Sequence, residues 1–491
     1  MNRQVKICVF LIKGRSFFQY LQRAYSLALC YNFKVKGCDF LKQTGVLLHI
    51  SSLPGDYGCG TLGRTARDFA DLLQKGGFTR WQVLPLNRPH EGGSPYSSPC
   101  TYLQNPLFID PEILFEKELL SAEELSEIKR NIPPNGASFN LFYRAREPYL
   151  HRAAERAKAT LEPIVCAFLQ SRPHVAQGCR FLANGEADLF YHGFLQYEFH
   201  LQWQALRDHC HTRGIRLMGD LPFYPDLHSS EVQFHKENFL LDERGAPLFE
   251  SGVPGDDFTD EGQHWGHPLY RTEALRAQHY APLLARFTHA ASLFDEVRID
   301  HFQALLRYYA IPVGRPVREG HWEEGLGENF LHTLTQSIPP ARLVAEDLGC
   351  FQHESRALAQ KFGIPPMNVL QFALLGGGSA ADFEPHSVAY TGTHDCDTLV
   401  GFFTSIHPDT RAAIAARLGE TAQAPSHALA LAAMRHLLQS PAERVIFQAQ
   451  DLLLLGSEAR MNVPGTTVGN WRWRLSPTDM ETLENLTPLW G

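Results

Sequence analysis

The sequence predicts an α/β protein, a (β/α)8 TIM barrel with large subdomains inserted in its βα loops. Three observations predict it: eight short apolar runs that read as strands, amphipathic segments between many of them, and acidic residues near the ends of four runs. The runs are GVLLHI (45–50), RWQVLPL (80–86), IRLMGDLPFY (215–224), FDEVRIDHF (294–302), RLVAEDL (342–348), NVLQFAL (368–374), VAYTGTHD (388–395) and RVIFQAQDLLL (444–454). Segment 188–214 typifies the intervening stretches, closing on basic residues and then Gly214, as a helix stops. About 130 residues separate the second and third runs, so the largest insertion is expected at about 87–190. In this fold the loops at the strand C-termini build the active site. The expected layout is a basic N-terminal extension of unknown role over 1–42 and a catalytic barrel with insertions over 43–491.

Charge is uneven along the 491 residues, whose net charge is −8. Residues 1–42 hold eight Lys/Arg against the single Asp39, leaving 37 basic and 52 acidic residues and a net of −15 for the remainder. A body that acidic argues against a nucleic-acid partner and suits a neutral or cationic ligand. No run of 18 or more apolar residues occurs, so no membrane span is expected. The acid-poor start has the charge of a transit peptide but little serine, and its apolar run ICVFLI is short for a secretory signal. A cytoplasmic protein is expected, with a plastid location as the alternative if the start is a transit peptide. The ten cysteines form no C-x-x-C pair and read as free thiols.

Some motifs are decoys. GCGTLG (58–63) fits a dinucleotide fingerprint, but Gly58 lies eight residues past Ile50, and the next strand ends without an acid for a ribose. DHCH (208–211) would place His209 and His211 about 200° apart on a helix, where they cannot share an ion. HWGH (264–267) reads as part of a Gly/Pro-rich loop. THDCD (393–397) is open to three readings: a metal site, part of a carboxylate acid–base system, or a solvated loop. Barrel metallohydrolases need several His ligands from strand ends, and the first strand offers only one, in LHIS.

The acids carry more. Asp220, Asp300, Glu346 and Asp395 fall near the C-terminal ends of the third, fourth, fifth and seventh runs. Singly, such an acid is more often a helix cap or loop ligand; four converging carboxylates repel and are costly without a use. Arg298 and Asp300 are two apart on one strand and share a face, so the guanidinium would keep Asp300 ionised, as a nucleophile requires. Glu346 follows the apolar LVA, a setting that raises a carboxyl pKa and suits a proton donor. An ionised carboxylate beside a protonated one, about 5–5.5 Å apart, is the equipment of a retaining glycosidase. Tyr57, Tyr96, Trp265 and Trp322 stand in Gly/Pro-rich segments, where exposed rings can stack on sugars.

At this point the motifs resemble a known family. GVLLHISSLPGDYGCGTLG, WQVLPLNRPHEGGSPYSSPCTYLQNP, GDLPFYPDLHSSEV, GQHWGHPLYR, VRIDHFQAL, VAEDLG, VLQF, YTGTHDCDTLVGFF and RMNVPGTTVGNWRWR, in order over 43–491, closely resemble amylomaltase, the 4-alpha-glucanotransferase of the alpha-amylase superfamily. The resemblance implies Asp300 as nucleophile, Glu346 as general acid/base and Asp395 as the third carboxylate at the cleavage subsite. It places Asp220, Arg298 and His394 around that subsite, Tyr96, Trp265 and Asn462 on the glucan chain, and Tyr57 at a secondary glucan contact. It implies no metal and no cofactor, with maltooligosaccharides, amylose or glycogen-derived α-glucans as partners and a monomer or small homo-oligomer. Three positions depart from the family: Asp257 for the usual Tyr, His267 for Asn and Cys396 for Asn. The rival readings are an α-glucan hydrolase on the same machinery, a metal-dependent barrel hydrolase and a non-catalytic glucan-binding protein.

Overall fold

The computed structural model describes residues 42–90, 92–134, 136–255 and 261–486. Residues 1–41 and Asp257 therefore lie outside the described residues. Twelve strands follow in chain order: β1 (Gln43–Leu47), β2 (Arg80–Gln82), β3 (Arg216–Leu221), β4 (Phe249–Val253), β5 (Gln263–Pro268), β6 (Glu296–Ile299), β7 (Arg307–Pro312), β8 (His321–Glu324), β9 (Leu343–Ala345), β10 (Met367–Val369), β11 (Val388–Tyr390) and β12 (Arg444–Gln448). Eight are parallel neighbours in the order β10-β11-β12-β1-β2-β3-β6-β9. A bridge from Ala345 to Pro366, with the Ala345 N–H donating to the Pro365 carbonyl at 2.9 Å, closes the ring between β9 and β10. This is the (β/α)8 barrel, and all eight runs contribute a strand.

Alternation along the strands sorts side chains between two cores. Leu47, Met218, Val344, Val388, Tyr390 and Ile446 belong to one buried cluster inside the barrel. Their chain neighbours Val46, Leu217, Leu343, Ala389 and Val445 belong to the larger cluster that packs the surrounding helices. Gly219 shows how tight that outer contact is, since a Cβ there would fall 2.1 Å from the Phe294 ring. Between β2 and β3 lie the helices Pro111–Glu116, Ala122–Asn131, Phe139–Gln170, Pro173–Leu182 and Glu186–Thr212.

Three expectations need correction. The run NVLQFAL is strand only to Val369 and then helix over Leu370–Leu375, and RVIFQAQDLLL turns helical at Ala449. Short apolar runs do not distinguish strand from buried helix. The segment HWGH is strand β5, not loop, and belongs to an antiparallel sheet ordered β5-β4-β7-β8. Opposite Glu250 and Gly252 of β4 stand Pro268 and His264 of β5, so β5 carries extra residues there, among them Gly266 at φ +75°. That bulge erases the period-two pattern that marks a strand.

The N-terminal end of the barrel holds a buried ion cluster. Glu296, 2% exposed, accepts from Arg80 at 2.9 Å and from Arg444 at 3.3 Å. All three residues stand at or next to the start of a barrel strand. Glu296→Ala leaves two guanidiniums buried without their shared partner and is expected to cost about 3–5 kcal/mol, read as a lower urea midpoint. Glu328→Ala, which breaks the exposed pair with Lys361, is expected to change stability by less than about 1 kcal/mol.

Candidate active site

The site grows from one register. Asp220 on β3 is the direct partner of Arg298 on β6. Arg298 Nη1 lies 2.9 Å from Asp220 Oδ1 and also 2.9 Å from Asp300 Oδ1, one residue beyond the strand. Burial alone would lower the basicity of Arg298, but Asp220 and Asp300 outweigh it and hold the guanidinium well above its usual pKa. The sequence reading that Arg298 and Asp300 share a face holds in this geometry.

From Asp220 a polar chain crosses the mouth. The Tyr96 hydroxyl donates to Asp220 Oδ2 at 2.7 Å and stands 3.5 Å from His394 Nδ1, with the two rings stacked at 5.0 Å. His394 Nε2 lies 3.4 Å from Asp395 Oδ1, which also accepts from Asn462 Nδ2 at 2.6 Å. Asp395 is not at the strand end as the run suggested. It sits five residues past β11, on a loop held by the Asn462 N–H to the His394 carbonyl (3.1 Å) and by Arg460 to the Asp395 carbonyl.

Glu346 follows β9 directly and enters from the other side. Its Oε2 accepts the His301 backbone N–H at 2.7 Å. Burial, then the charges of Asp300 and Asp347, push its carboxyl well above the usual range, against the opposing pull of Arg298. His301 makes this contact from a left-handed backbone (φ +50°), and its buried Nε2 has no hydrogen-bond partner. Burial lowers its imidazole to about 4, so the ring is neutral. Trp265 of β5 meets that ring edge-on at 4.7 Å, bringing the antiparallel sheet to the acids.

Nine of the ten sequence-expected residues thus meet in one contact network: Asp220, Arg298, Asp300, Glu346, Tyr96, His394, Asp395, Asn462 and Trp265. Tyr57 does not. It is 4% exposed, its hydroxyl donates to Glu112, and Lys129 covers the ring at 5.2 Å, so it presents no free face to a sugar. Trp322 likewise packs on Tyr309 and Phe351, at 5.1 and 4.8 Å. Of the departures, Cys396 is buried with its sulfur 3.6 Å from the Thr393 hydroxyl, and His267 is kept from protonating first by burial. Sequence reading missed His301, although it adjoins Asp300. It also missed Trp471, tilted 5.7 Å from His394, and Arg460, which a contact 65 residues distant brings in.

The decoys resolve structurally. His209 pairs with Asp71 at 2.8 Å and His211 with Asp295 at 2.9 Å, so the two diverge. A Cβ on Gly60 would fall 2.0 Å from the Ile50 carbonyl and one on Gly63 1.7 Å from Asp110 Oδ2, so these glycines serve close packing. Among the described residues no group of three or more His, Cys, Asp or Glu is arranged to hold a metal ion.

Comparison with known proteins places this geometry. The family model for 4-alpha-glucanotransferase, glycoside hydrolase family 77, matches residues 48–183 and 168–480. The 4-alpha-glucanotransferase of Thermus thermophilus is 35% identical over 487 residues, covering 89% of this chain and 95% of that protein. That of Aquifex aeolicus is 34% identical over 486 residues, covering 92% and 99%. The amylomaltase of Streptococcus agalactiae, solved in complex with acarbose, superposes with a TM-score of 0.85 at 28% identity, covering 91% of this chain and 98% of that one. A barrel closed around Arg298, a relative over a third identical along nearly its whole length and a matching family model agree: the chain belongs to the 4-alpha-glucanotransferase family.

Proposed function

We propose that this glucanotransferase moves α-1,4-glucan segments between maltooligosaccharides by a retaining double displacement. The observation that carries the reading is the pairing of unlike carboxyls: Asp300 against the Arg298 guanidinium at 2.9 Å, and Glu346 buried with its pKa raised by that burial. In the first step an Asp300 oxygen attacks C1, the glycosidic bond breaks, and Glu346 gives its proton to the departing oxygen, leaving a glycosyl ester. In the second the 4-hydroxyl of an acceptor sugar attacks C1, the ester breaks, and the Glu346 carboxylate takes the hydroxyl proton. Asp395, held by Asn462, binds sugar hydroxyls beside the reacting carbon; Tyr96 and His394 form the wall next to it. Trp265 offers its ring to the acceptor. No step needs a metal or cofactor, and the neutral glucan agrees with the acidic body.

Transfer wins over hydrolysis only if the acceptor is bound and water kept away. With maltotriose as sole substrate, the expected products are glucose and a ladder of longer chains with nearly constant total reducing ends. Reducing ends that rise one for one with bonds cleaved would mark a hydrolase instead. Stacking on Trp265 contributes about 0.5–1.5 kcal/mol, so Trp265→Ala is expected to shift the partition toward hydrolysis by roughly 2–10-fold, measured by size distribution alongside reducing ends.

Asp300→Asn should lose at least about a hundredfold in turnover, since no ester forms. Glu346→Ala should still react with α-glucosyl fluoride, whose leaving group needs little protonation, and external azide should discharge the ester. An Asp300→Asn protein that keeps more than about a hundredth of the wild-type rate overturns the assignment.

The pH dependence has a definite sign. A raised Glu346 pKa extends to higher pH the range in which the acid keeps its proton, and activity falls as pH rises through that pKa. Removing the Asp300 charge takes away one of the causes that raise it. Titration of the carboxyl by infrared difference spectroscopy is therefore expected to give a lower pKa for Glu346 in Asp300→Asn than in the wild type.

A further inference from the structure

Among the described residues, two arginines have buried guanidinium nitrogens without a hydrogen-bond partner and no ion-pair partner. Arg146, on the helix Phe139–Gln170, is 1% exposed. Its Nη1 donates to the Leu107 carbonyl at 2.7 Å and its Nη2 to that of Ile109, but its Nε is buried without a partner. Arg474 donates Nη1 to the carbonyls of Trp471 and Trp473 at 2.9 and 2.8 Å, while its Nε and Nη2 are buried and unpartnered. Both guanidiniums act electrostatically on one thiol, Cys59. That sulfur lies 3.9 Å from the Leu107 carbonyl that Arg146 also uses. Arg474 stands over the Phe139 ring at 5.3 Å, and Phe139, Cys59 and Trp471 share one buried cluster.

Carbonyl groups satisfy N–H bonds but supply no counter-charge, and an unpaired buried charge is costly. An arginine does not escape by losing its proton; even Arg474, whose basicity burial lowers to about 10, stays charged at neutral pH. Burial pushes the Cys59 thiol up, so it remains neutral there. Asp110 is the one described carboxylate that acts on Arg146, whereas none acts on Arg474. Arg474 is the guanidinium left without a counter-charge. We propose that a small monovalent anion of the chloride class binds beside Cys59, held by the free N–H groups of Arg474 and Arg146. Its position gives it a consequence, because Arg474 anchors the carbonyl of Trp471, whose ring lies 6.0 Å from Tyr96 and 5.7 Å from His394.

The test uses the full chain and chloride or bromide alone, with no reliance on catalysis. At constant ionic strength, replacing gluconate by chloride is expected to raise the melting temperature saturably, by about 2 °C or more. Arg474→Met, which removes an uncompensated charge, is expected to lose that response. Crystals of the wild-type protein grown with bromide should show an anomalous peak within hydrogen-bond distance of Arg474 Nη2, Arg474 Nε or Arg146 Nε, and this decides the matter if the variant fails to fold or the melting curves are equivocal. Water alone at those nitrogens, or bromide bound only elsewhere, overturns the proposal.

Discussion

A single buried guanidinium sets the terms for the mouth of this barrel. Arg298 points inward from β6, and a cation there must be neutralised on the spot. Asp220, its partner in the β3–β6 register, does so from one side and Asp300 from the other. Each consequence follows from that demand. Asp220 has no exposed side-chain surface, and its Oδ2 also accepts the Tyr96 hydroxyl. Tyr96 in turn sets the plane of His394 by stacking, and His394 leads to Asp395. Remove the guanidinium and the chain from β6 to the loop after β11 loses its origin.

The second support is backbone rather than charge. Glu346 is fixed by the N–H of His301, the residue after Asp300. The distance between the two carboxyls is thus governed by one turn of chain, held in a left-handed conformation that few side chains adopt. The same histidine meets Trp265, so the antiparallel sheet registers on the turn that orients the acid. That sheet is built from the loops after β3 and β6, the two strands that carry Asp220 and Arg298. Loop growth and charge placement therefore share their anchors.

How much of this the sequence disclosed depended on whether the signal was local. The eight barrel strands were legible because a parallel strand covered on both faces reads as an apolar run. Asp300, Glu346 and Asp220 were legible because strand ends are where a barrel places its chemistry, and Arg298 because two-residue spacing is a geometric statement. Strand β5 was not, since Gly266 at positive φ and the bulge opposite β4 break the alternation. Trp471 and Arg460 reach the site through tertiary contact; both fall within the motif RMNVPGTTVGNWRWR, but no spacing in it assigns them a part. Tyr57, expected at a secondary contact, stands apart from this network, with Glu112 and Lys129 against it.

The acids also divide by depth, and depth accounts for their different proposed parts. Asp220 is fully covered and takes two contacts from Arg298 and one from Tyr96, so it is the most firmly held of the four. The Asp300 side chain is 29% exposed and is tied to Arg298 through Oδ1, leaving it able to reach solvent and sugar. Asp395, 43% exposed and steadied by Asn462, stands where hydroxyls would arrive. Glu346 is buried with no cation of its own, and that burial raises its pKa. Four carboxyls repel only if all are charged and equally placed. Here one faces Arg298 in full, one shares that cation, one is solvated and one has its pKa raised by burial, so the members of the cluster are unlike, and that same unlikeness is what a double displacement requires.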